Sequence, residues 1–360
     1  MRVIVVGATG NVGTALIRAL MATAQVDSLV GVSRRSVSAD VKAETADRCE
    51  WVAADIATDR LEPLFDGADC VVHMAWLFQP THHPEVTWSN NVGGAERVFE
   101  AARSAGVSKV VSLSSIAAYS PRDSDEPTDE TWPTHGASVA AYAAQKAYQE
   151  RLLDALERNA PQCQVVRMRP AFIFQRATAT QQRRLFAGPL VPGRLIRPST
   201  VPVLPFPRGL TFQAIHADDV ASAITSSLLR PVSGAFNLAA EPVLDKDSTA
   251  ALLDARPVEL PVALVRAALA AAWRSHLVPA DPWLFDALMR LPTLSTERAR
   301  SELNWRPAVT AEEALGEFLV GVREGATGTT PPLSGEAGGP GRVSEFATGV
   351  GERADAATDL

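Results

Sequence analysis

The sequence predicts an α/β fold in which a doubly wound parallel sheet is followed by a smaller, mainly helical domain. Over the first 170 residues, short runs of β-branched residues alternate with longer amphipathic stretches. The runs are apolar at nearly every position, as in strands that are buried on both faces. Strand and helix in alternation indicate βαβ units and therefore a parallel sheet. After Pro170 the pattern changes to a loop-like stretch and then to helical spacing.

The predicted elements follow in chain order. The strands of the first part are Val3–Val6, Leu29–Val32, Trp51–Ala54, Val71–Met74, Val110–Leu113 and Val165–Met168. The helical segments between them are Val12–Met21, Val92–Ala105 and Ala141–Leu156. Residues 176–212 are rich in Pro, Gly and Arg and are predicted to be loops. His216–Leu229 is predicted to be a strand end and a helix capped by Asp218 or Asp219, before a short strand at Ala235–Leu238.

Composition excludes several classes of protein. Of the 360 residues, 46% are hydrophobic and 21% are charged, and the formal net charge is −7. These values are typical of a folded globular protein and argue against a nucleic-acid-binding protein. The three cysteines are far apart, which excludes a disulfide scaffold and favours the cytoplasm. The first apolar run is too short for a signal peptide, and no apolar stretch reaches the roughly 18 residues of a membrane helix. No metal site is expected either, because the adjacent His82 and His83 have no cysteine nearby and are predicted to be part of a loop.

A glycine-rich segment directly follows the first predicted strand and opens a helix. It contains Gly7, Gly10 and Gly13 in the order Gly-Ala-Thr-Gly-Asn-Val-Gly. Gly7 allows a tight turn, Gly10 leaves room for a pyrophosphate at the backbone, and Gly13 lets helix and strand pack closely. The spacing alone is weak evidence, but its place between strand and helix is a strong signal for a Rossmann-type dinucleotide site. The alternative is a tight glycine turn that binds no ligand.

The end of the second predicted strand indicates which dinucleotide would bind. Sites that prefer NAD usually have Asp or Glu there for the ribose hydroxyls. Here Ser33, Arg34 and Arg35 follow Val32, so two guanidiniums could pair with a 2′-phosphate. NADP(H) is therefore the preferred cofactor and NAD(H) the alternative. The alternative to a 2′-phosphate site is that Arg34 and Arg35 are solvated surface residues.

These predictions divide the chain into two domains and a tail. Residues 1–170 are predicted to form the Rossmann-type, NAD(P)-binding domain, and residues 213–238 are expected to return to it. Residues 171–212 and 239–324 would form the substrate-binding cap. Residues 325–360 have few large apolar groups, so they are predicted to be a disordered tail.

Tyr142 and Lys146 carry the chemistry that the sequence suggests. Their i, i+4 spacing on a predicted helix places both side chains on one face. A phenol has a pKa near 10, and a nearby ammonium or an oxidised nicotinamide would favour the phenolate and lower that value. Ser114 and Ser115 end the fifth predicted strand, and hydroxyls at that edge of a parallel sheet point into the ligand crevice.

With these motifs, the sequence resembles the extended short-chain dehydrogenase/reductases, also called the NAD-dependent epimerase/dehydratase family. The resemblance covers about residues 1–325. Further matching segments are Asp55-Ile56, Val71–Ala75, Asn91–Gly94, Ser114–Tyr119, Arg169-Pro170, His216–Val220 and Phe236–Leu238.

The resemblance implies roles for individual residues. Tyr142 would be the general acid/base, Lys146 would bind the nicotinamide ribose, Ser115 would orient the substrate, and Asn91 would complete a proton relay. Family members often form homodimers, which is also expected here. The full set expected to contact the cofactor is Gly7, Thr9, Gly10, Asn11, Val12, Gly13, Ser33, Arg34, Arg35, Asp55, Ile56, Met74, Ala75, Trp76, Tyr142, Lys146 and Pro170.

Departures from the family pattern narrow the substrate. Sugar-nucleotide dehydratases have acidic residues where this chain has Ile116 and Ala117, and many epimerases have an Asn that Arg169–Phe172 lacks. These absences favour a carbonyl reductase or alcohol dehydrogenase that acts on a hydrophobic small molecule. Arginines between residues 176 and 208 could instead bind an anionic group or form a solvated loop. A nucleotide-sugar epimerase with tightly bound NAD and a non-catalytic NADP-sensing regulator are the alternative functions.

Overall fold

The computed structural model describes residues 1–77, 84–187, 202–278 and 280–334, and its centre is a parallel sheet of seven strands. The strands are β1 Arg2–Val6, β2 Ser28–Ser33, β3 Glu50–Ala53, β4 Cys70–His73, β5 Lys109–Leu113, β6 Gln164–Pro170 and, later in the chain, β10 Gly234–Leu238. Their spatial order is β10-β6-β5-β4-β1-β2-β3, and all neighbouring pairs are parallel. The Rossmann-type sheet that the sequence predicts is therefore confirmed.

Two small parallel pairs of strands stand outside the main sheet. β7 Phe172–Phe174 pairs with β9 Ala214–His216, and β8 Val203–Pro207 pairs with β11 Arg256–Leu260. One residue separates the end of β6 from the start of β7.

The helices cover both faces of the sheet and build the region beyond it. They are α1 Asn11–Met21, α2 Ala39–Thr45, α3 Glu62–Phe65, α4 Pro84–Trp88, α5 Gly94–Ser104, α6 Ala141–Asn159, α7 Ala179–Ala187, α8 Ala217–Leu228, α9 Lys246–Ala251, α10 Val262–Arg274, α11 Pro282–Leu288, α12 Glu297–Glu302 and α13 Ala311–Glu324. No helix in these described ranges is long and apolar enough to cross a bilayer.

The position of β1 between two hydrophobic cores explains why Val3 to Val6 are all apolar. Val3 and Val5 belong to the core beneath α1 and α8, whereas Ile4 and Val6 belong to the core beneath α3, α5 and α6. All four side chains are at most 1% exposed. Each contributes about 1.5–3 kcal/mol relative to an exposed position, so a polar residue at either face would be costly.

The stretch 176–212, predicted to be loops, contains regular structure. A 3₁₀ turn at Arg176–Thr178 leads into α7, and β8 follows later. The helix forms because the segment from Ala179 to Ala187 has no glycine or proline and consists largely of good helix formers. Residues 188–201, which hold Arg194 and Arg197, lie outside the described residues, as do Phe78, His82 and His83.

The N-cap of α8 also differs from the prediction. His216 Nδ1 accepts the backbone N–H of Asp218 at 3.2 Å, so His216 is the cap. The carboxylate of Asp219 accepts the backbone N–H groups of Ala308 and Val309 at 2.8 and 3.1 Å. Asp219 is already within the first turn of α8 and therefore holds a distant loop instead of its own helix end.

The segment predicted to be a disordered tail begins with ordered residues. Thr330 and Leu333 are 3% and 2% exposed. The Gly328 N–H donates to the Leu333 carbonyl at 2.9 Å, which closes a compact turn. Thr330 also bonds to Thr9, so contacts with a remote part of the fold order a segment that has few large apolar groups of its own. Residues 335–360 lie outside the described residues.

Candidate active site

One cavity of about 640 Å³ opens at the carboxyl edge of the main sheet. It lies where β1 and β4 are neighbours although the chain visits β2 and β3 between them. Such a change of direction leaves a crevice between the loops, and ligands of open α/β sheets bind there. Every residue that the sequence predicts for the cofactor or for catalysis lines this cavity.

The phosphate loop has the geometry that its glycines require. Gly7 has φ +91°, and a Cβ at this position would lie 2.5 Å from the Ala75 nitrogen. A Cβ on Gly13 would lie 2.3 Å from the Gly7 carbonyl oxygen. Gly10 is the N-cap of α1 and offers no side-chain acceptor, so the N–H groups of the first turn are left to the cavity. A helix start of this kind binds anions, and the loop therefore fits a dinucleotide diphosphate.

The residues expected at the adenosine ribose lie together at the ends of β2 and β3. Ser33, Arg34, Arg35, Asp55 and Ile56 all line the cavity. Burial lowers the pKa of both arginines, and the Asp55 carboxylate opposes this effect at Arg34. The guanidiniums of Arg34 and Arg35 are half-buried and have little negative charge beside them. They are therefore suited to bind an anion in addition to the diphosphate at the phosphate loop.

Tyr142 and Ser115 meet over the cavity. Ser115 ends the segment after β5 and caps a 3₁₀ turn by accepting the Ala117 N–H at 3.1 Å. Burial raises the pKa of Tyr142 to about 12, although its hydrogen bond with the Ser115 hydroxyl acts in the opposite direction. The phenol is therefore protonated at neutral pH. The lowered pKa predicted from the sequence requires an oxidised nicotinamide beside Tyr142 as well as the Lys146 ammonium, and it stays a prediction.

Lys146 lies one helical turn beyond Tyr142 in α6 and is 3% exposed. Its ammonium donates to the Leu113 carbonyl at 2.8 Å and to Gln149 Oε1 at 3.1 Å. It also lies 3.5 Å from the centroid of the Trp76 ring. Burial lowers its pKa well below the usual range, and the charge of Glu150 only partly compensates.

Asn91 is held in a π-helical turn, Ser89–Gly93, between α4 and α5. Its side-chain oxygen accepts the Leu77 N–H at 2.7 Å, and its amide donates to the Leu77 carbonyl and to Gln145 Oε1 at 3.1 and 2.9 Å. The side chain thus braces the segment after β4 against α6. Its predicted part in a proton relay stays a prediction.

The remaining predicted residues surround these groups. Met74, Ala75 and Trp76 follow β4, and the Trp76 ring is perpendicular to that of Tyr142 with centroids 5.9 Å apart. Pro170 is the last residue of β6 and also lines the cavity. The described residues contain no cluster of metal-ligating side chains.

Sequence reasoning missed the far wall of the cavity. This wall consists of apolar side chains from α7, α10, α11 and the turn after it: Leu185, Phe186, Leu269, Leu284, Phe285, Leu288 and Leu291. We call it the apolar chamber. The helical spacing in the last part of the sequence predicts helices there, but it carries no information on which sheet edge those helices cover.

The comparisons agree with this geometry. The family model described as NAD dependent epimerase/dehydratase family matches residues 3–239. An uncharacterized protein of Mycobacterium tuberculosis is 26% identical over 335 residues, which are 89% of this chain and 83% of that protein. The UDP-glucose 4-epimerase of Mycolicibacterium smegmatis is 32% identical over 180 residues, which are 48% of this chain and 56% of the epimerase.

Solved structures of similar fold have been described with NAD. A dTDP-glucose 4,6-dehydratase from Streptomyces venezuelae with NAD bound has a TM-score of 0.66 at 21% identity and covers 90% of this chain and 97% of its own. The UDP-glucuronic acid 4-epimerase from Bacillus cereus in complex with NAD has a TM-score of 0.64 at 14% identity, with coverages of 90% and 99%. These identities establish the shared fold alone. Because the family model covers most of the chain, from the first strand to the last strand of the main sheet, this protein belongs to the NAD dependent epimerase/dehydratase family.

Proposed function

We propose that this protein is an NAD(P)-dependent oxidoreductase that transfers a hydride between NADP(H) and the carbonyl or alcohol group of an apolar small molecule. The observation that carries the proposal is the position of the Tyr142 hydroxyl. It shares a hydrogen bond with Ser115 in the same cavity as the phosphate loop, and the apolar chamber forms the other wall.

The protonated state of Tyr142 suits carbonyl reduction. Because burial raises its pKa to about 12, the hydroxyl keeps its proton at neutral pH and can donate it to a carbonyl oxygen that gains negative charge. A bound reduced nicotinamide would supply the hydride. Ser115 would orient the substrate oxygen toward Tyr142, and the Lys146 ammonium would hold the nicotinamide ribose and favour the phenolate after proton transfer.

The character of the cavity lining supports an apolar substrate. Among the described residues, its charged side chains are Arg34, Arg35, Asp55, Lys146 and Asp281. The first four are assigned to the cofactor, which leaves Asp281 as the charged group near the apolar chamber. Arg183 and Arg184 are not among the described residues that line the cavity. An uncharged, hydrophobic ketone or aldehyde fits this lining best.

NADP(H) is the preferred cofactor in this proposal. Arg34 and Arg35 stand where a 2′-phosphate would lie, and guanidiniums pair well with phosphate oxygens. NAD(H), which the similar solved structures contain, is the alternative.

A spectrophotometric screen tests the proposal. NADPH and NADH consumption would be followed with panels of hydrophobic ketones, aldehydes and nucleotide-sugars. We expect turnover with a hydrophobic carbonyl, and a loss of about 100-fold or more in Tyr142→Phe with unchanged cofactor affinity. Tyr148→Phe is the matched control, because Tyr148 is 45% exposed on the same helix. Equal turnover in both variants would exclude the catalytic role of Tyr142.

A nucleotide-sugar epimerase is the second candidate, and the sequence match to a UDP-glucose 4-epimerase favours it. An epimerase that uses NAD transiently would purify with its nucleotide bound, whereas a reductase exchanges its cofactor in every cycle. Denaturing the purified protein and identifying the released nucleotide separates the two. A non-catalytic sensor, the third alternative, would keep its biological output in Tyr142→Phe.

Two further expectations concern the whole protein. We propose that it forms a homodimer and works in the cytoplasm, as its family resemblance and its cysteine content suggest. Analytical ultracentrifugation and cell fractionation check these points separately from the catalytic proposal.

A further inference from the structure

The segment after α13 returns to the phosphate loop. Gly325 ends α13 in the left-handed region with φ +67°, and the Ala326 N–H donates back to the Gly321 carbonyl at 2.8 Å. This turn directs the following residues toward the cavity. We call residues 326–334 the C-terminal strap.

The strap contacts both halves of the cavity. The Thr330 hydroxyl donates to the Thr9 carbonyl in the phosphate loop at 2.8 Å, and Pro332 lines the cavity. At the other end, the Ala326 carbonyl accepts the Thr180 N–H, in α7, at 3.3 Å. Helix α7 supplies Leu185 and Phe186 to the apolar chamber, so the strap joins the cofactor side to the substrate side.

The hydrogen bond from Thr330 fixes the orientation of the Thr9 carbonyl in the phosphate loop. A loop that binds a diphosphate through its N–H groups must turn its carbonyl oxygens away from the anion. Thr9 is 7% exposed, and its carbonyl is turned to the hydroxyl of Thr330, which is itself 3% exposed. Without that donor the buried carbonyl would need another partner, and the loop could rotate to find one.

Hydrogen bonds and packing within the C-terminal strap hold Thr330 in position. The Leu333 and Ser334 N–H groups both donate to the Thr330 carbonyl at 3.0 Å, so the turn holds Thr330 from its own side. Leu333 is 2% exposed and packs against Gly328, where a Cβ would lie 2.7 Å from the Leu333 Cβ.

From these contacts we infer that Thr330 is a positioning residue for the phosphate loop, and that the C-terminal strap slows dissociation of the dinucleotide. The inference rests on the proposed function insofar as it needs a bound pyridine nucleotide. It assigns a binding role to residues that lie beyond the segment matched by the family model, which ends at residue 239.

The experiment compares three full-length variants with the wild-type chain. Thr330→Val removes the donor and keeps the shape, and Leu333→Ala loosens the whole strap. Thr329→Val is the control, because this neighbouring threonine is exposed. Dissociation of NADPH and NADH is followed by stopped-flow fluorescence, and amide hydrogen exchange of residues 7–13 is measured without cofactor. Thermal melting and exchange in β5 report on the fold as a whole.

We expect Thr330→Val to raise the dissociation rate about 3- to 10-fold, as loss of one net hydrogen bond implies, with association changed less than about twofold. Leu333→Ala should also raise the dissociation rate, because it loosens the packing that holds Thr330. Exchange of residues 7–13 should rise by a similar factor, while exchange in β5 stays as in Thr329→Val. Dissociation and loop exchange equal to those of Thr329→Val would overturn the inference. If the wild-type chain binds no dinucleotide, the proposed function fails, and the exchange data alone decide whether Thr330 positions the loop.

Discussion

The Lys146 ammonium lies 3.5 Å from the centroid of the Trp76 ring. Among the residues that the structure describes, this ammonium also donates to two oxygens, those of Leu113 and Gln149. An ammonium has three N–H donors, and the aromatic face is available to the third. The ring contact is the one that ribose hydroxyls could replace most easily, because it involves no hydrogen-bonded oxygen.

Replacing Trp76 should therefore change the titration of Lys146. A buried cation–π contact contributes about 0.5–2 kcal/mol to the charged form, so Trp76→Leu should lower the pKa of Lys146 further. The ammonium would then be lost earlier as pH rises, and the alkaline limb of kcat/KM for the cofactor should move about 0.4–1.5 pH units lower. Trp76→Phe keeps an aromatic face and should move the limb less. Superimposable profiles for wild type and Trp76→Leu would contradict this role.

Arg34 and Arg35 allow the cofactor preference to be tested. The double variant Arg34→Gln/Arg35→Gln should raise the Kd of NADPH about tenfold or more, because charge-assisted hydrogen bonds to the 2′-phosphate are lost. The Kd of NADH should change less than about threefold. Isothermal titration calorimetry measures both constants. Lys42→Gln removes one exposed positive charge from α2 and serves as the control. Equal losses for the two cofactors would show that the arginines do not read the 2′-phosphate.

The buried His73 should make the fold sensitive to acid. Its ring packs edge-on against Phe99, with centroids 5.4 Å apart, and neither ring nitrogen has a hydrogen-bond partner among the described residues. Burial, with a smaller effect of Lys146, lowers the pKa of His73 to about 3. Below about pH 6.5 the unfolded chain gains a proton that the folded chain does not bind, so stability falls by up to ~1.4 kcal/mol per pH unit.

His73→Leu should remove this dependence. Urea unfolding at pH 7.5 and 5.5 should show that the variant loses about 1 kcal/mol less stability between these pH values than the wild type. His135 is exposed, and His135→Gln should keep the wild-type loss. The same loss in His73→Leu and in the wild type would mean that other groups cause the acid sensitivity.

The strands and the cofactor loop could be predicted because their signals are local. The apolar run at Val3–Val6 predicts a buried strand, and the glycines at 7, 10 and 13 predict the phosphate loop. Each of these predictions needs only a few adjacent residues. Tyr142 and Lys146 are one helical turn apart, so their shared face follows from the helix alone. The position of all these residues around one cavity then follows from the parallel sheet.

The parts that could not be predicted depend on contacts between distant segments. Leu185 and Leu288 belong to ordinary helices, and only the packing of α7 and α11 against the sheet edge makes them line a cavity. Asp219 looked like a helix cap, but it holds the N–H groups of Ala308 and Val309. Thr330 lies in a segment of low hydrophobicity and is ordered by its bond to Thr9, 321 residues away in sequence.

Glu150 should be the most sensitive polar residue of the core. It accepts from Arg169 Nε and Nη2, both at 2.9 Å, and from the Ser114 hydroxyl at 2.6 Å, and it forms an ion pair with Arg167 at 3.1 Å. Burial alone would raise its pKa, but the hydrogen bonds and charge of Arg169, helped by Ser114 and Arg167, lower it overall. Its charge is therefore present in the folded chain at neutral pH.

Glu150→Gln keeps the shape but leaves the buried Arg169 guanidinium without its paired carboxylate. We expect the free energy of unfolding to fall by about 3–5 kcal/mol, measured by urea denaturation at pH 7.5. Glu157→Gln is the matched control, since Glu157 also pairs with Arg167 but its side chain is 39% exposed, and its loss should stay below about 1 kcal/mol. Arg167 retains Asp154 and Glu157 in the Glu150 variant, whereas Arg169 loses its paired carboxylate, so the cost falls mainly on Arg169. Similar losses of unfolding free energy in the two variants would mean that the contribution of a carboxylate to stability does not depend on its burial.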